Sequence, residues 1–60
     1  MKVKVGSIWA TPERKKFIVT EVKFENDDTW VYYNNLETQV EYFCLEEAFL
    51  SRFSEIVNNG

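Results

Sequence analysis

The sequence predicts a mainly β domain with one helix (α+β): a curled four-stranded antiparallel sheet, or a small barrel, completed by a short C-terminal helix. Three observations predict it. Runs rich in β-branched and aromatic residues occupy positions 17–24, 29–33 and 38–44. Clusters of Asn and Asp separate them where tight turns are needed. After Cys44 the apolar period changes from two to four residues.

The first strand is predicted over residues 2–9. Val3 and Val5 alternate with Lys2 and Lys4, and the run passes through Gly6 and Ser7 to Ile8 and Trp9, with an interruption at the glycine. Residues 11–16, TPERKK, form a polar connection that the proline and the charges mark as a turn. Residues 17–24, FIVTEVKF, form the second strand, with Ile18, Val22 and Phe24 on one parity and Phe17 and Val19 on the other. Glu25, Asn26, Asp27 and Asp28 supply a hairpin turn, because Asn and Asp tolerate positive φ.

The third strand is TWVYY at 29–33, and the Asn34–Asn35 pair predicts a tight turn into the fourth, TQVEYFC at 38–44. There Val40, Tyr42 and Cys44 fall on one side and Glu41 and Phe43 on the other. Leu45, Phe49 and Phe53 then recur every fourth residue, widened by Ala48 and Ile56, which is the stripe of an amphipathic helix. Glu46 and Glu47 fall in its first turn and Arg52 near its end, each favourable to the helix dipole by about 0.3–1 kcal/mol. Residues 58–60 read as a frayed tail. The helix covers the apolar face of the sheet, or plugs one end of a small SH3-like barrel for which Gly6 gives the bend.

Sixty residues make one domain spanning 1–60. A chain of this length buries only about 60% of its unfolded surface, so its stability is expected to be marginal. With no His, one Cys and one Met, it lacks the usual zinc ligand sets and the Ser-His or Cys-His nucleophile pairs. The only glycines are Gly6 and Gly60, too few for a phosphate cradle. The carboxylate pairs Asp27/Asp28 and Glu46/Glu47 are accounted for by turn chemistry and the helix dipole, and the cluster at 26–28 lacks the spaced ligands of a calcium loop. The sequence therefore predicts a non-enzymatic protein with no cofactor and no metal.

The lone Cys44, flanked by Phe43 and Leu45, reads as a buried structural thiol, and an unpaired cysteine predicts a reducing, cytoplasmic setting. The first residues lack the apolar run of a signal peptide, and the uncharged stretch 29–36 is too short to span a bilayer.

The opening strand Val5-Gly6-Ser7-Ile8-Trp9, the strands Phe17-Ile18-Val19 and Trp30-Val31-Tyr32-Tyr33, and the later Phe49 and Phe53 give the chain a pattern that resembles small SH3-like or KOW-like barrels from short phage and prophage reading frames. The resemblance covers most of the chain and is carried by general β-barrel signals. It implies a non-enzymatic module, of the kind that inhibits a host protein during phage takeover or counters host defence, acting in the host cytoplasm. A net charge of −3 departs from the basic balance of nucleic-acid-binding KOW modules.

The informative excess is aromatic: two Trp, three Tyr and five Phe in sixty residues, more ring surface than so small a core hides. Trp9, Trp30, Tyr32 and Tyr33 are the candidate anchors for a protein partner, since exposed Trp and Tyr dominate interfaces. Trp30 and Tyr32 point one way on the third strand, Val31 and Tyr33 the other. The basic turn Arg14, Lys15 and Lys16, or the acidic pair Glu46 and Glu47, would orient that partner. Unpaired edges and surplus rings also favour a homodimer. The alternative is a nucleic-acid-binding module that uses the basic hairpin for phosphates and the aromatic sheet face for base stacking.

Overall fold

In the computed structural model, which describes residues 3–56, a long hairpin dominates. Its strands are β2 (Lys16–Glu25) and β3 (Asp28–Asn35), joined by Asn26 and Asp27 at φ 51° and 64°. Two consecutive positive φ angles define the two-residue turn whose twist matches antiparallel strands, and Asn and Asp adopt it at little steric cost. β1 (Ile8–Ala10) precedes the hairpin, and β4 (Glu41–Leu45), the helix α1 (Glu46–Arg52) and β5 (Ser54–Glu55) follow it. All pairings are antiparallel, in the order β4-β3-β2-β1-β5.

The sheet has five strands rather than the four expected, and it stays open instead of closing into a barrel. β4 and β5 are its two edges. Closure would require them to pair, and β5, two residues long, supplies almost no ladder for that. The concave face is covered by other means. Phe49 from α1, Phe53 just beyond it and Val3 close over Trp9, Phe17, Val19, Val31 and Tyr33, with Val22, Cys44 and Leu50 packed around them. Phe49 is wholly buried and lies flat on Phe53 at 4.4 Å.

The first strand starts at Ile8, not at residue 2; Lys2 lies outside the described residues. Gly6, at φ 89°, turns the chain so that Ser7 N–H donates to Lys4 O, and residues 6 and 7 attach to β2 through Gly6 N–H to Val19 O and Val19 N–H to Ser7 O. The expected turn after β1 is present, with Arg14 at φ 69° and Thr11 N–H bonded to Lys15 O at 3.0 Å.

The split parity of β2 has a physical cause in a bulge. The register passes from Val19↔Tyr33 to Glu21↔Tyr32, so Thr20 is the extra residue, and its hydroxyl donates to Tyr32 O at 3.3 Å. One inserted residue swaps the faces. Phe17 and Val19 before it and Val22 after it therefore share the concave side.

Asn34 and Asn35 end β3 and do not form the turn themselves, so the predicted fourth strand begins later, at Glu41. The reversal uses residues 36–39, with Gln39 at φ 64°. The buried Asn35 holds it, its side-chain Oδ1 accepting from the N–H groups of Glu37 (2.7 Å) and Thr38 (3.0 Å).

The helix is seven residues long, shorter than the apolar stripe implied. Glu46 and Glu47 are in its first turn and Arg52 in its last, as expected. Leu45 is extended and closes β4, and Phe53, also extended, caps the C-terminus with its N–H on Phe49 O. Ile56 lies past β5, where its N–H donates to Ile8 O at 2.8 Å. The tail at 58–60 lies outside the described residues.

Candidate functional site: the convex face of the sheet

Alternation along β2, β3 and β4 sends to the convex face every second side chain not needed in the core. Two cross-strand rows result. One runs Glu21, Tyr32, Phe43 and the other Lys23, Trp30, Leu45. Tyr32 and Phe43 stack at 5.5 Å with their planes 23° apart, and Trp30 meets Phe43 at 6.0 Å. The rings stay accessible: Phe43 is 62% exposed, and Trp30 and Tyr32 are half-buried. With Glu25 and Asn26 they line a shallow depression beside the β2–β3 turn.

The rim of this face is mostly acidic. Glu21, Glu25 and Glu41 share its parity on exposed positions. Two β2 lysines share this parity: Lys16 opens the strand at its far end, and Lys23, beside the rings, has Nζ 3.9 Å from Glu21 Oε2 and 5.2 Å from the centre of the Tyr32 ring. Both partners of that ion pair are about half exposed, so its contribution to stability is small. Among the described residues, Glu25 and Glu41 form no ion pair.

Trp30 and Tyr32, predicted as anchors, lie together on this face. Trp9 and Tyr33 do not. Trp9 is 5% exposed, packs edge-on against Phe49 and donates its indole N–H to Ser7 Oγ at 2.8 Å. Tyr33, 7% exposed, sits among Phe17, Tyr42, Phe49 and Phe53. Both are core residues, because they fall on the concave parity that α1 covers. The exposed Arg14, Lys15 and Lys16 form the β1–β2 turn at the opposite end of β2 from the rings. Seven residues of extended strand separate Lys16 from Lys23, roughly 23 Å at about 3.3 Å per residue.

Phe43 is the central ring of the cluster and was not singled out from the sequence. Its signal was present in the alternation that sets it opposite Val40, Tyr42 and Cys44; only the pairing of β4 with β3 places it beside Trp30 and Tyr32.

Burial lifts the Tyr33 phenol from 10.0 to about 12, helped by the neighbouring Cys44. Burial likewise pushes the Cys44 thiol up, so at neutral pH it is protonated and a poor nucleophile. A second depression joins Asp27, Asp28, Glu46 and Glu47, but among the described residues no three carboxylate or thiol groups are placed to hold a metal ion. No helix among the described residues is long and apolar enough to cross a membrane.

Comparison with known proteins gives no matching family model, no matching curated protein and no matching solved structure. The reading of this site rests on its own geometry.

Proposed function

We propose that this chain is a non-enzymatic protein-binding module whose convex face, centred on Trp30, Tyr32 and Phe43, docks a basic segment of a protein partner. The observation that carries the proposal is three rings grouped on the solvent side of a sheet whose other side already holds a complete aromatic core. Sheets with one free face ordinarily present polar side chains there. The carboxylates of Glu21, Glu25 and Glu41 give the partner its sign, and an arginine or lysine over Trp30 would gain a cation–π contact as well.

A module of this kind acts by covering what it binds, which fits the expectation of an inhibitor of a host protein working in the cytoplasm. The return of β5 to β1 supports reading the fold as an open relative of SH3-like barrels. The alternative nucleic-acid reading is disfavoured, since the side chains that rim the rings, Glu21, Glu25 and Glu41, are carboxylates that repel phosphates.

The test is affinity capture with three immobilised proteins: wild type, Trp30→Ala/Phe43→Ala, and Arg14→Ala/Lys15→Ala as a control. Anchors of this kind contribute about 2 kcal/mol each, or about 30-fold in affinity. A protein held by wild type and by the basic-turn variant is expected to be lost from the ring variant. Equal retention by a folded Trp30→Ala/Phe43→Ala protein overturns the proposal. Capture of nucleic acid with a steep inverse dependence on salt decides for the alternative.

A further inference from the structure

We infer that the free edge of β4 pairs with β4 of a second copy, antiparallel and centred on Phe43, to join two sheets into one. The phase of the ladder decides which backbone groups are available. Asn35 N–H donates to Val40 O at 3.0 Å, which makes 35 and 40 a hydrogen-bonded pair, and such pairs alternate along an antiparallel ladder. Tyr33↔Tyr42 and Val31↔Cys44 are then the bonded registers. Glu41 and Phe43 turn their N–H and C=O groups, and Leu45 its N–H, toward a side with no partner strand among the described residues, while the Leu45 C=O, at the N-cap of α1, is taken by the helix. The Thr20 hydroxyl on Tyr32 O agrees with this phase, because that carbonyl faces β2 and not β4.

These three residues are spaced symmetrically about Phe43. A twofold axis there sets Phe43 opposite Phe43 of the other copy as a hydrogen-bonded pair and Glu41 opposite Leu45, whose N–H donates to the Glu41 carbonyl, with Tyr42 opposite Cys44 on the concave side. No like charges are opposed. Centring on Glu41 would set two carboxylates face to face, and centring on Leu45 would run the strand into α1. β5 offers only two residues and is no competitor.

The pairing continues the convex row without a break, from Tyr32 through both copies of Phe43 to the second Tyr32, and merges two ring clusters into one twofold surface. Five residues of edge make a small interface, so association is expected at about 10–500 μM. Each copy carries a net charge of −3, so added salt should strengthen the dimer.

The inference stands apart from partner docking, and its deciding variant, Leu45→Pro, leaves Trp30, Tyr32 and Phe43 in place. Leu45 has φ −67°, the value proline imposes, and its N–H faces the free edge. Leu45→Pro therefore removes two intermolecular bonds from the dimer while sparing the β3–β4 ladder. Sedimentation from about 10 μM to 1 mM is expected to show a monomer–dimer equilibrium in wild type, weakened at least tenfold in Leu45→Pro with an unchanged far-UV spectrum. In a Cys44→Ala background, Phe43→Cys is expected to form an intermolecular disulfide on oxidation, and Glu41→Cys is not, since only position 43 meets itself across the axis. A wild type that stays monomeric to 1 mM overturns the inference. So does a dimer that survives Leu45→Pro and is lost in Trp30→Ala, which would mean contact through the convex faces.

Discussion

Phe49→Ala tests whether α1 is the cover that lets an open sheet stand alone. Phe49 is the only fully buried residue of the helix, and its ring lies 4.4 Å from Phe53, 5.0 Å from Trp9 and 5.2 Å from Tyr33, centre to centre. Truncating a buried Phe to Ala costs about 3–5 kcal/mol, the lost transfer free energy plus the cavity left behind. Stability of about 0.05–0.15 kcal/mol per residue gives a chain of this length roughly 3–9 kcal/mol in total. The substitution should therefore remove from about a third to all of it. Urea titration followed by far-UV circular dichroism and tryptophan emission is expected to show Phe49→Ala with a much lower midpoint or already unfolded at 25 °C. Phe24→Ala is the control, since that ring is 69% exposed and its loss should shift stability by less than about 1 kcal/mol. A Phe49→Ala protein that unfolds cooperatively within about 1 kcal/mol of wild type would mean that the concave face does not depend on the helix.

Two further predictions concern single buried groups. Asn35→Ala removes the acceptor shared by Glu37 N–H and Thr38 N–H and should destabilise the chain by about 1–3 kcal/mol, read as a lower urea midpoint with unchanged slope. The Tyr33 phenol, raised from 10.0 to about 12, holds its proton more tightly folded than unfolded, so its contribution is fully present below pH 10 and is lost as pH rises through 12. Stability should fall by up to roughly 2 kcal/mol over that window, by less in a Cys44→Ala background where burial is left as the main cause raising the phenol, and Tyr33→Phe should flatten the fall.

Local chemistry made the centre of the fold legible and left its ends obscure. The β2–β3 hairpin could be read because Asn26 and Asp27 suit positive φ and the flanking runs alternate. The opposed parities within β2 were visible too, but only the pairing with β3 shows that Thr20 is a bulge joining Phe17, Val19 and Val22 on one face. β5 was hidden because Phe49 and Phe53 keep a helical spacing across a helix that has already ended. Trp9 carries no local mark of burial, since what buries it is Phe49, forty residues later in the chain. Of the candidate site, Trp30 and Tyr32 followed from strand parity. Phe43 required knowledge of which strand lies next to which.

The division of rings between the two faces bears directly on function. Trp9, Phe17, Tyr33, Phe49 and Phe53 are buried together, and this set already closes the concave side. The cross-strand stacking of Tyr32 on Phe43 stabilises the sheet by about 0.2–1 kcal/mol, yet it leaves Phe43 62% exposed on a side where polar residues would keep the sheet soluble. Charge is also divided, with Arg14, Lys15 and Lys16 at one end of β2 and Glu25, Asp27, Asp28, Glu46 and Glu47 gathered toward the other. The ring cluster lies toward the acidic end, so the field that draws a basic partner in and the apolar surface that retains it coincide. That asymmetry favours a cationic protein segment over nucleic acid.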